Sequence, residues 1–101
     1  MDKGDIISVV IDKVRLHKEE RKQIGALYGN YQSQYIAFLE GYSNGIVCVD
    51  AFAQRNHPEW ERKTEQRAQI LSQEMHGKTI TIRITDVFNN GAFEAEIVLD
   101  N

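Results

Sequence analysis

One cysteine, Cys48, is all the chain has, so no internal disulfide can form and a stapled secreted mini-domain is excluded. One proline, Pro58, and no Gly/Ser-rich tract leave no linker and no second domain to separate. No apolar stretch approaches the ~20 residues needed to span a bilayer. The opening Met1-Asp2-Lys3-Gly4-Asp5 lacks a small-residue cleavage site and does not read as a signal peptide, so the cytoplasm is the expected location. A basic excess is missing too. The 12 Lys and Arg stand against 15 Asp and Glu, for a formal net charge of −3. That speaks against a general duplex-DNA binder, which needs cations to neutralise phosphates.

What is present is ordinary globular composition. The chain has 101 residues, 42% hydrophobic and 27% charged, which fits a single domain over residues 1–101. Ile6 to Val14 is rich in β-branched side chains, which favour a pleated strand, although Ile6, Val10, Lys13 and Val14 also fit one helical face. Ile46 to Phe52 reads as a second, buried strand. Pro58 suits the first position of a helix, with Glu59 and Glu61 in its first turn. Trp60, Thr64, Ala68, Leu71 and Met75 then form one stripe, widened by Ile70, and Gly77 ends the helix. Ile80, Ile82 and Ile84 alternate with polar residues, Asn89-Asn90-Gly91 gives a turn, and Phe93, Ala95, Ile97 and Leu99 alternate again. The expected fold is therefore a small α+β domain whose C-terminal antiparallel hairpin packs on one amphipathic helix. A degenerate OB-fold barrel is the alternative.

Residues 17–42 admit two readings. Ile24, Leu27, Tyr28, Tyr31, Tyr35, Phe38, Leu39 and Tyr42 recur at helical spacing. Gly25 and Gly29 oppose a helix, each costing about 1 kcal/mol relative to Ala. The competing reading is a break at Gly29-Asn30 followed by an extended Tyr31 to Leu39.

Glu61 to Leu99 resembles the second half of a staphylococcal-nuclease-like OB-fold domain. The matching residues are Gly77-Lys78-Thr79-Ile80-Thr81-Ile82 and Ala95-Glu96-Ile97-Val98-Leu99, with Val49-Asp50-Ala51 upstream. The resemblance implies a barrel, and in an active member a calcium ion on acidic residues, a glutamate base and two arginines. Asp50 matches the strand aspartate. Phe52 and Ala53 stand where the proline and the base would be, and Gly45 and Gly91-Ala92 where the arginines would be. The resemblance therefore implies a fold whose chemistry has been lost.

No other catalytic pattern is present. The glycines match no phosphate-loop spacing, the serines have no nucleophile-elbow context, and His17, His57 and His76 lack metal-ligand spacing. Asp50, His57 and Glu59 are the one set that a strand-to-helix loop could gather, and three solvated side chains is the simpler reading. No enzyme activity, metal or cofactor is expected. Cys48 lies in an apolar run without an adjacent histidine and reads as a buried structural thiol.

The unusual feature is the clustering of all four tyrosines, Tyr28, Tyr31, Tyr35 and Tyr42. A buried tyrosine hydroxyl needs a partner, so tyrosine suits a half-exposed contact surface better than a core. Lys13, Arg15, Lys18, Arg21 and Lys22 make a basic flank, diluted by Asp12, Glu19 and Glu20. The leading expectation is a non-catalytic module that binds a protein partner or itself through these tyrosines. The alternative is an OB-type single-stranded nucleic-acid-binding module using the same residues. No membrane partner is expected.

Overall fold

The computed structural model describes residues 1–17 and 34–99. The strands are β1 (Ile6–His17), β2 (Gln34–Leu39), β3 (Tyr42–Cys48), β4 (Thr79–Val87) and β5 (Phe93–Val98). Two helices, α1 (Asp50–Asn56) and α2 (Glu65–Met75), lie between β3 and β4. The strands close into a barrel in the order β1-β2-β3-β5-β4. All neighbours are antiparallel except β3 and β5, which run parallel. A five-stranded barrel of this order, with helix inserted between the third and fourth strands, has the OB arrangement.

The OB alternative therefore describes the molecule, and the α+β description needs correcting. The C-terminal hairpin exists, but it is two staves of a barrel that spans the described chain. Nor is the barrel likeness confined to the second half, since β1 pairs with both β2 and β4.

Alternation explains most of the strands. Ile82 and Ile84 of β4 and Phe93, Ala95 and Ile97 of β5 point inward, together with Val9, Ile11, Val14 and Leu16 of β1. In β2, Tyr35, Ile36 and Ala37 are all buried, so the period of two is hidden. The helical reading of Tyr35 to Leu39 is overturned: that segment is strand. Residues 18–33, including Tyr28 and Tyr31, lie outside the described residues.

The helices also differ from expectation. Asp50 to Phe52 belongs to α1, so the strand ends at Cys48. α2 begins seven residues after Pro58, because the Thr64 side chain accepts a hydrogen bond from the Arg67 N–H at 3.2 Å and caps it there. Pro58 and Trp60 sit in the preceding connection, where the Trp60 N–H donates to the His57 carbonyl. Ala68, Leu71 and Met75 form the buried stripe, while Ile70 faces solvent. α2 packs on β1, with the Ser72 hydroxyl accepting from the Val14 N–H at 2.9 Å. Gly77 follows the helix at φ +77°, a conformation that favours glycine.

Candidate functional site

Residues paired across neighbouring strands project from the same face of a sheet. Lys13 pairs with Phe38, Phe38 with Ile46, and Ile46 with Glu94. Two residues along, Arg15 pairs with Ile36, Ile36 with Cys48, and Cys48 with Glu96. Two parallel rows thus cross β1, β2, β3 and β5 on the outside of the barrel. Each reads cation, apolar, apolar, carboxylate.

Most charges on these rows have no oppositely charged partner among the described residues. The Lys13 ammonium lies 5.5 Å from the Phe38 ring centroid, a cation–π contact. Neither Lys13 nor Arg15 has a carboxylate partner among the described residues, and the Glu94 carboxylate has no cation. Glu96 meets Arg83 at 2.9 Å in a half-exposed pair, the kind that contributes little. Phe38, Ile46 and Cys48 are half-buried. Ile36 is buried but stands apart from the barrel's core cluster, on the outer side. It helps line a depression of about 310 Å³ with His17, Gln34, Cys48 and Glu96. Burial pushes the Cys48 thiol above its ordinary pKa; the Asp50 backbone opposes this, and the Asp50 carboxylate adds to it.

A second concavity, of about 460 Å³, lies between β2 and the connection joining the helices. Several of its polar groups are paired. The Tyr35 N–H donates to Asp50 Oδ1 at 2.6 Å, and Asp50 Oδ2 pairs with Lys63 Nζ. His57 stacks flat on Trp60, with ring centroids 3.9 Å apart and planes within 3°. Its Nε2 lies 2.9 Å from both Glu74 carboxylate oxygens. These contacts strap the 57–64 connection over Tyr35. Trp60 is half-buried against Tyr35, at 6.1 Å between centroids, and anchors the connection without belonging to a helix. Asp50, His57 and Glu59 are near this strap, but Asp50 is held by Lys63 and His57 by Glu74.

Of the four tyrosines, Tyr35 and Tyr42 lie among the described residues. Tyr35 is core, 1% exposed. Its hydroxyl finds no hydrogen-bond partner there, and burial raises its pKa, opposed by the Thr64 backbone and the charge of Arg67 and reinforced by the Asp50 carboxylate. Tyr42 is 38% exposed and sets its ring edge-on to Phe93 at 5.9 Å. The charged rows escaped sequence reading because cross-strand register joins residues from opposite ends of the chain. The one signal was Lys13 and Arg15 at a spacing of two within a β-branched run.

Among the described residues no group of three His, Cys, Asp or Glu side chains could hold a metal ion, and no helix is long and apolar enough to cross a membrane. No family model and no curated protein matches the chain. Among solved structures it is similar to the K3L protein from vaccinia virus (Wisconsin strain), with 13% identity and a TM-score of 0.47 over 97% of this chain and 89% of that one. The OB assignment rests on the strand order and closure of this chain alone.

Proposed function

We propose that this is a non-catalytic OB-type module that binds single-stranded nucleic acid across the outer faces of β1 and β2. The observation that supports it is the juxtaposition of Lys13, Arg15 and Phe38 on that face. The barrel supplies the class of ligand by analogy of fold, since OB barrels bind oligonucleotides on the face of their second and third strands and on the loops after the first and fourth, and the proposed face shares β2 with that surface. The residues come from the chain itself: two cations without a carboxylate partner among the described residues, available to phosphates, and an aromatic ring on which a base can stack. The chain joining β1 to β2 carries Lys18, Arg21, Lys22, Tyr28 and Tyr31 in addition. Glu94 and Glu96 repel phosphate, so the backbone of a bound strand would keep to the β1 side.

Nuclease chemistry is not part of this reading. Both Asp50 oxygens are engaged, Ala53 is buried where the base would stand, and Gly45 lies beneath Phe93.

Fluorescence anisotropy with labelled single-stranded RNA and DNA tests the proposal. Binding should weaken steeply with salt, and Arg15→Ala should flatten the slope of log K against log salt by about 0.7, one single-strand phosphate contact. Salt-insensitive binding, or binding unchanged by Lys13→Ala and Arg15→Ala together, would remove the basis for it. A protein partner is the second reading, favoured by the carboxylates on β5, which nucleic acid has no use for.

A further inference from the structure

The two rows share a property that a nucleic-acid track does not need: they are self-complementary. We propose that a second copy of this chain docks on the outer face of β1-β2-β3-β5 about a two-fold axis running along the strands between β2 and β3.

The symmetry follows from the register. Such an axis inverts the order across the sheet and keeps the level along it. It therefore sets each residue of β1 opposite a residue of β5 in the other copy, and each residue of β2 opposite β3. Lys13 then meets Glu94 of the second copy, and Phe38 meets Ile46. One row along, Arg15 meets Glu96 and Ile36 meets Cys48. Every charge finds its opposite and every apolar residue an apolar one, in both rows at once. An axis perpendicular to the strands would stack β1 on β1 and bring like charges together. Single surface ion pairs count for little. Here four pairs flank an apolar centre that excludes water, which is the arrangement of an interface core and rim.

The size of the patch sets the strength. Four strands spaced about 4.8 Å apart span only ~14 Å from β1 to β5. The outside of a barrel curves away, so the long Lys13, Arg15, Glu94 and Glu96 side chains must bridge the margins. Such a contact lies below the size of a permanent dimer interface. It is a weak dimer, held partly by charge and loosened by salt. It also gives the β5 carboxylates a role: they occupy the cations that a nucleic-acid strand would use, so strand binding and self-association compete.

Sedimentation equilibrium of the whole chain at low ionic strength, over a wide concentration range, is the test. The chain should show a monomer–dimer equilibrium that salt shifts toward monomer. Lys13→Glu makes both margins of its row acidic and Glu94→Lys makes both basic, so each alone should weaken dimerisation by about tenfold or more. Mixed in equal amounts, the two variants should associate with each other more tightly than either does with itself. That rescue cannot come from misfolding, and circular dichroism of each variant checks the fold directly. A monomer at every concentration, self-association untouched by either change, or failure of the mixture to recover it would each overturn the dimer. Variants that are monomeric like the wild type, while Lys13→Glu loses oligonucleotide binding, would leave the face to nucleic acid alone. Conversely, a dimer that an excess of oligonucleotide does not dissociate would retain this inference and count against the proposed function.

Discussion

Phe93 lies directly over the Cα of Gly45: a Cβ added there would fall 2.1 Å from the ring's Cζ and 2.4 Å from Cε2. The two residues pair across the parallel β3–β5 junction, and both are buried. Glycine is required here by close approach, which is one reason for it to interrupt a strand. Gly45→Ala should destabilise the barrel by about 1–3 kcal/mol, as overpacking does in an enclosed core. Urea denaturation measures it. Pairing the change with Phe93→Leu should recover part of the loss, whereas an unchanged midpoint in the single variant would mean the ring moves aside freely.

The β4–β5 turn makes a second demand. Gly91 sits at φ +86° with open space around it, so backbone conformation alone restricts it. Gly91→Val should cost about 1–3 kcal/mol through strain at positive φ, and Gly91→Asn distinctly less. Equal melting temperatures for the two variants would remove the strain argument.

These two glycines mark how far the sequence could be read. The Asn-Gly turn and the alternating Ile82, Ile84, Ala95 and Ile97 are local patterns, and they were legible. β2 was not, because a strand buried at Tyr35, Ile36 and Ala37 alike shows no alternation, while its aromatic residues fall at helical spacing. The start of α2 was misplaced because Pro58 and Thr64 both suit a helix N-terminus, and only the Thr64 hydroxyl is used. The candidate face was illegible for a different reason. Lys13 and Glu94 share a row only once three strand pairings are fixed, and no local pattern fixes them.

Tyr35 carries a prediction of opposite sign. Its hydroxyl is buried without a hydrogen bond among the described residues, which costs about 1–3 kcal/mol. Tyr35→Phe should therefore leave stability unchanged or raise it, while Tyr35→Ser should lower it sharply by opening a cavity beneath Trp60. Alkali provides a second check. The native pKa stands above the ordinary value of 10.0. Between the unfolded and native values the native state binds the extra proton, so this stabilisation is full below 10.0 and is lost as pH rises through the native pKa. Tyr35→Phe should flatten that alkaline decline. Identical declines in the two proteins would assign it to other groups.

Asp50 ties the start of β2 to Lys63 in the connection between the helices, which limits what else its carboxylate can do. One carboxylate oxygen accepts the Tyr35 N–H at 2.6 Å and the other pairs with Lys63. Both side chains are about three-quarters removed from solvent, at 23% and 28% exposure. Removing the carboxylate strands a backbone donor and a half-buried ammonium together. Asp50→Ala should therefore lower stability by about 1–3 kcal/mol. Asp50→Asn keeps an acceptor for Tyr35 and should cost less, and Lys63→Met should restore part of the loss in the alanine variant. With both oxygens engaged, calcium, magnesium or manganese should not shift the melting temperature. Single- and double-stranded DNA and RNA should also survive incubation with the protein and each cation. Cleavage would need a base and cations at the developing charge, and losing one such electrostatic partner already costs about 10²–10³-fold in rate. Metal-dependent degradation that survives repurification and disappears in Asp50→Ala would overturn this. Asp50 would then be a metal ligand, with Lys63 displaced when the ion binds.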